Sequence, residues 1–250
     1  MSSLVVSLLI FVLTIGGVLL GLLLRTALPD HHLSKDAQDV VRLGAALIAT
    51  MAALVLGLLI ASAKSTFDTQ SNQVRQITAD IFVLDNLLRQ YGPETLPLRT
   101  RMRAAIGPFV DRLWREKDAH GNAPFEANAE SERVYLDIQA LTPTNDTQHA
   151  LQARAAQVAT DLVQTRVMLY VGSGNSIPAP FLAILTFWIV VLFANFSLFS
   201  KLNATVFVVL SLFAFSAACA LFLVLELSEP FTGLMTIPQA PLREALAPLS

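Results

Sequence analysis

The sequence predicts an all-α membrane protein with four transmembrane helices and a helical soluble insert between the second and the third. Three observations predict it. The 250-residue chain is 54% hydrophobic and only 14% charged, whereas soluble domains carry about 25% charged residues. The missing charge is concentrated: windows 4–24, 43–63, 181–200 and 204–225 contain no Asp, Glu, Lys or Arg, and the rest of the chain is about 22% charged. The 117 residues between the second and third windows show helical periodicity and no strand alternation. A water-soluble enzyme is excluded by this pattern. Net charge is −2, so no basic face for nucleic acid is indicated. The single cysteine, Cys219, rules out an internal disulfide.

Each window has the 20 or so residues needed to cross a hydrocarbon core of roughly 30 Å. The first has no Lys or Arg before Leu4 and runs past the length of a signal-peptide core, so it is read as a retained span. Gly17 and Gly21 within it form a small-xxx-small pair suited to close helix packing. The first two spans make a hairpin over 1–63, joined by a polar loop with Asp30-His31-His32. Windows three and four are separated only by Lys201-Leu202-Asn203 and form a second hairpin over 181–227. Residues 228–250 are a tail, with Pro241 opening a short helix that carries Leu242, Leu246 and Leu249 on one side. That helix suits either the membrane surface or the insert.

Insert 64–180 begins as a continuation of span two. Val74, Ile77, Ile81, Leu84, Leu88 and Tyr91 follow a heptad seam, interrupted by Gln70. Extrapolated back, that register passes through Phe67, Ala63, Ile60, Leu56, Ala53, Ala49 and Ala46. The prediction is one helix of about fifty residues ending at Gly92-Pro93. A second helix is expected over Arg99–Glu116, interrupted near Gly107-Pro108, and a third over Ser131–Leu141. Asn145 with Gln148 three residues on resembles a capping box. It would open a helix bearing Leu151, Ala155, Val158, Leu162 and Leu169.

Small residues on the membrane part of the seam have two readings. They permit close helix packing, or Ala46, Ala49, Thr50, Ala53 and Gly57 face the axis of an oligomer and line a pore. Reactive constellations are lacking: there is no Walker loop, no Rossmann glycine pattern, no paired cysteines and no HExxH. No enzyme and no cofactor is therefore expected. Asp30-His31-His32 with Asp36 is read as solvated rather than metal-binding, and Ser173 as part of a linker. The spans carry no charge, which disfavours proton-coupled transport; a passive pore remains open. Asn195 is expected to hydrogen-bond between helices and Glu226 to lie at the interface. Lys and Arg near the spans divide evenly between the two sides, so charge counting does not orient the chain.

Two blocks carry a family resemblance. One is Ile60-Ala61-Ser62-Ala63-Lys64-Ser65-Thr66-Phe67-Asp68 followed by Leu88-Arg89-Gln90-Tyr91-Gly92-Pro93-Glu94. The other runs from Asn203-Ala204-Thr205 through Leu223-Val224-Leu225-Glu226 to Pro230-Phe231-Thr232-Gly233 and Pro241-Leu242-Arg243-Glu244-Ala245-Leu246. Together they resemble the bacterial bestrophin-like membrane family. The motif positions are Tyr91, Gly92, Pro93, Glu94, Glu226, Pro230, Phe231 and Gly233. The resemblance implies a homopentameric anion channel of the bacterial inner membrane, with the second span lining the pore and the termini and insert cytoplasmic. Its partners would be the lipid bilayer, other copies of the chain and small ions. The sequence departs from bestrophins in two respects. Small residues occupy the stretch where bestrophins narrow at bulky side chains, and no acidic cluster matches their calcium clasp. A rival reading of a different class is a non-conducting scaffold whose insert binds a cytosolic partner.

Overall fold

The computed structural model describes residues 2–29, 34–115, 128–173, 177–200 and 203–244. Eight α-helices are found among them, and no strand: α1 Ser3–Ala27, α2 Lys35–Tyr91, α3 Leu96–Arg115, α4 Asn128–Gln139, α5 Asp146–Ser173, α6 Ala179–Leu198, α7 Ala204–Leu227 and α8 Ala240–Glu244. Helices α1, α2, α6 and α7 are long and apolar enough to cross a membrane. At 57 residues α2 exceeds the expected fifty and measures about 85 Å at 1.5 Å per residue.

Two compact units divide the chain, Met1–Phe67 with Ser176–Glu229, and Asp68–Asn175 with Pro230–Ser250. In the first, α1 packs against α6 and α7. Ile10 and Val18 meet Leu185, Ile189 and Phe193 of α6 and Leu210, Ala214 and Leu221 of α7 in one apolar cluster. Close approach at α1 requires its glycines. A Cβ on Gly17 would stand 2.7 Å from the Val190 carbonyl oxygen, and one on Gly21 would overlap the Ala194 carbonyl oxygen. The Ser197 hydroxyl donates to the Val18 carbonyl at 2.6 Å in the same interface, a polar bond favoured where no water competes.

Within the second unit the seam of α2 is buried as expected: Val74, Ile77, Ile81, Leu84, Leu88 and Tyr91 are all in the core. They share it with Met102, Ile106 and Val110 of α3, Val134 and Ile138 of α4, and Ala155, Val158 and Leu169 of α5. Gln70, the polar break in the seam, is buried and donates to the Gly172 carbonyl at 3.0 Å. The cap at Asn145 forms, with the Gln148 amide N–H donating to Oδ1 at 2.9 Å. The Gln148 side chain does not close a full capping box; its Oε1 accepts from the amide and hydroxyl of Thr144. Gln152 donates to the carbonyls of Ile138, Gln139 and Leu141, which satisfies the open end of α4.

One helix prediction needs correction. α3 runs unbroken through Gly107-Pro108. A proline inside a helix forfeits one backbone bond, and the apolar stripe Leu98, Met102, Ile106, Val110, buried on both sides of it, holds the helix together. The Asp30-His31-His32 cluster, Lys201-Leu202 and the tail leucines Leu246 and Leu249 lie outside the described residues.

Candidate functional site

The membrane part of α2 places its small residues on two distinct stripes. Ala45, Ala52, Leu59 and Ala63 are buried, and three of them join the apolar cluster of the first unit. Ala46, Thr50, Ala53 and Gly57 are exposed and Ala49 is half-buried. The back-extrapolated seam is thus corrected by about one residue. Ala45 lies 18 residues from Ala63, about five whole turns at 3.6 residues per turn, and so shares its face. A strict heptad repeat drifts by roughly 20° per heptad on a straight helix. Extending it four heptads, from Val74 back to Ala46, therefore lands beside the packed stripe, at Ala46 and Ala53.

A Cβ added at Gly57 would meet nothing within 4 Å. The Thr50 hydroxyl donates to its own helix at the Ala46 carbonyl, 2.8 Å away, leaving the oxygen lone pairs outward. The chain itself covers the buried stripe; the exposed one is open at Thr50, Ala53 and Gly57, while Ala46 and Ala49 also border a groove lined by Asn195, Phe196 and Phe199. Asn195, expected to bond between helices, has no side-chain partner among the described residues; Ser197 makes the interhelical bond instead. Glu226, at the end of α7, is buried with 3% exposure.

The first motif closes the C-terminal end of α2. Tyr91 is buried, Gly92 adopts φ 147°, and Pro93 starts a 3-10 turn over Pro93–Thr95. That φ lies where only glycine is at ease, and the Glu94 carboxylate occupies the place a Cβ would take. The Thr95 hydroxyl lies 2.5 Å from the Leu88 carbonyl and satisfies one of the open helix-end acceptors. Gln148 of α5 donates to both the Tyr91 carbonyl and Glu94 Oε1, each at 3.0 Å. Glu94 thus anchors a helix end to α5.

The second motif docks the C-terminal segment on α3. The Phe231 ring meets Trp114 edge-on at 5.3 Å. Trp114 Nε1 donates to the Ile237 carbonyl at 3.0 Å, and the Ile237 amide donates to the Pro230 carbonyl at 2.8 Å. Gly233 takes φ 100° at the bend. Tyr91, Gly92, Pro93 and Glu94 thus close one helix end, and Pro230, Phe231 and Gly233 hold the C-terminal segment on α3.

Sequence reasoning missed the strongest polar cluster. Asp85, with its side chain 4% exposed, accepts from Arg99 at 2.9 and 2.8 Å and from Arg103 at 3.2 and 3.3 Å. Burial alone would raise the Asp85 carboxyl, but the hydrogen bonds and charges of the two guanidinium groups outweigh it and hold it below the usual carboxylate range. Its neighbour Asp80 goes the other way. Burial pushes it up, the 2.8 Å bond from Gln76 opposes, and the charge of Asp161 adds to the rise. The only sequence signal for the Asp85 cluster was an arginine pair spaced by four, Arg99 and Arg103. Among the described residues no group of three His, Cys, Asp or Glu side chains is placed to hold a metal.

A family model of the Bestrophin-like domain matches residues 12–242 of the chain. Two crystal structures of a bacterial bestrophin homologue from Klebsiella pneumoniae share the fold. One, carrying a leucine-to-threonine mutation, is 18% identical with a TM-score of 0.63, covering 93% of this chain and 96% of that one. The other, carrying an isoleucine-to-threonine mutation, is 16% identical with a TM-score of 0.64 and covers 96% of each. No curated protein matches the chain.

Proposed function

Because the chain belongs to the Bestrophin-like family, we propose that it assembles with copies of itself into an anion channel of the bacterial inner membrane. The second helix of each subunit stands around the axis, and Ala46, Ala49, Thr50, Ala53 and Gly57 line the pathway. One observation carries this reading. The small-residue stripe Ala46, Thr50, Ala53, Gly57 is left uncovered by its own chain, while the stripe beside it is packed. Helices around a central axis need both: one face for the subunit's own helices and one for the lumen.

Small side chains and a threonine oxygen leave room for an ion that keeps much of its water. The absence of charge from the spans fits passive conduction rather than coupled transport. The termini and insert lie on the cytoplasmic side in this reading, the subunit number is five, and the chain is not an enzyme.

The test is the oligomeric state in mild detergent together with chloride efflux from liposomes containing the purified chain. A closed ring of subunits with efflux above empty vesicles supports the channel. A monomer or dimer, or vesicles that stay tight under varied anions, pH and calcium, would overturn it.

A further inference from the structure

In the membrane unit, α2 residues Arg42 to Ala49 and the C-terminal end of α6 with the two residues after it line a groove of roughly 410 Å³. We propose that this groove binds an anionic glycerophospholipid, with its phosphodiester at Arg42 and the start of an acyl chain against Phe196. The lining is amphipathic: Arg42, Ser200 and Asn195 are polar, and Phe196, Phe199 and three alanines are apolar. Arg42 immediately precedes the charge-free window 43–63, and Ser200 ends the window 181–200. Both therefore sit at the boundary between hydrocarbon and headgroups. Asn195, Phe196 and the Ala49 methyl lie one to two turns further in.

Polar groups in the groove are unspent. Among the described residues, neither the Arg42 guanidinium nor the Asn195 amide nor the Ser200 hydroxyl makes a side-chain hydrogen bond or ion pair. Asp39 lies one turn before Arg42 and forms no ion pair with it. A guanidinium presents a fork of donors that matches phosphate oxygens, and a phosphodiester at the boundary supplies what it lacks. The mixed lining separates a lipid from a free anion: an inorganic anion would use Arg42 and Ser200 but leave the two phenyl rings and the alanine floor without a partner. The volume points the same way, since roughly 300–1,000 Å³ is the size of sites that enclose organic ligands. This proposal does not rest on conduction. Ala46 and Ala49 border both the groove and the proposed pathway, so a bound lipid would stand beside the pathway at this end.

The test uses the full chain purified in mild detergent and counts retained phospholipid by native mass spectrometry. Phosphatidylglycerol, phosphatidylcholine and inorganic phosphate are offered separately. The expected result is retention of phosphatidylglycerol over phosphatidylcholine, no displacement by inorganic phosphate, and about fivefold weaker retention in Arg42→Gln, the effect of one arginine at a lipid surface. Arg42→Lys should keep more of it than Arg42→Gln. Equal retention of both lipids by the unmutated chain, undiminished binding by a folded Arg42→Gln, or displacement by inorganic phosphate would overturn it. If Arg42→Gln does not fold, the lipid comparison on the unmutated chain still decides. None of these outcomes reads current, so failure here is distinct from failure of the channel reading.

Discussion

Replacing Asp85 with asparagine removes the charge that two buried or half-buried arginines share. The Arg99 side chain is 12% exposed and that of Arg103 25%, against 4% for Asp85. Breaking a buried pair by removing one partner costs about 3–5 kcal/mol, because the surviving charge is left uncompensated. Arg103 reaches water and can turn outward, and the new amide still accepts one bond, so we expect a loss of about 2–4 kcal/mol. For a unit of roughly a hundred residues, each kcal/mol corresponds to about 4–8 °C in melting temperature. The chain has two tryptophans. In a Trp188→Phe background the remaining Trp114, packed on Phe231 in the second unit, reports the unfolding of that unit by fluorescence. The acid limb supplies a second readout. Asp85 is depressed in the folded state, so its stabilisation is fully present above the unfolded carboxyl value near 3.9 and is lost as pH falls through the lower folded value. Asp85→Asn should therefore flatten the acid limb as well as lower the melting temperature at neutral pH. A loss below about 1 kcal/mol, or an unchanged acid limb, would refute the idea that this cluster holds α2 to α3.

Three further outcomes follow from the same geometry. Asp80 is raised in the folded state, so stability is fully present below the unfolded carboxyl value and is lost as pH rises through the folded one; Asp80→Asn should raise the melting temperature at pH 8 and leave it unchanged below about pH 3. Gly21→Ala drives a methyl into the Ala194 carbonyl and should destabilise the α1–α6 pair by about 1–3 kcal/mol, seen as a lower unfolding temperature in detergent; a neutral effect would mean the helices are less closely packed than described. Trp114→Phe loses the bond to the Ile237 carbonyl, a change of about 1 kcal/mol, and should make cleavage within 230–244 faster under limited proteolysis, while the membrane helices stay protected.

Much of this fold is legible in the sequence because the bilayer imposes a simple rule. Charge-free windows of fixed length mark spans, and Gly92-Pro93 marks where α2 must stop. The heptad seam Val74 to Tyr91 was readable because water on one side of the insert forces apolar residues to the other. Inside the membrane that contrast disappears. Ala45 and Ala46 are chemically alike, and only the 3.6-residue period of the actual helix decides which one is packed. α3 passes through Gly107-Pro108 because buried side chains on both turns outweigh one lost backbone bond, a balance that propensity does not contain. The Asp85–Arg99–Arg103 cluster joins residues 14 and 18 apart on two helices, and nothing local announces such a pair. The motif blocks were visible as words, but the roles of Glu94 at Gln148 and Phe231 at Trp114 required the tertiary contacts.

The most direct test of the proposed pathway is chloride efflux from liposomes containing Gly57→Leu beside the unmutated chain. Beyond the local backbone of α2, no atom described lies within 4 Å of a Cβ added there, so the variant should fold and melt as before. If Gly57 faces a lumen, five leucines at one level should close it with apolar side chains and reduce efflux by at least about tenfold. Unchanged efflux from a folded Gly57→Leu would contradict the account and move the pathway away from this face of α2.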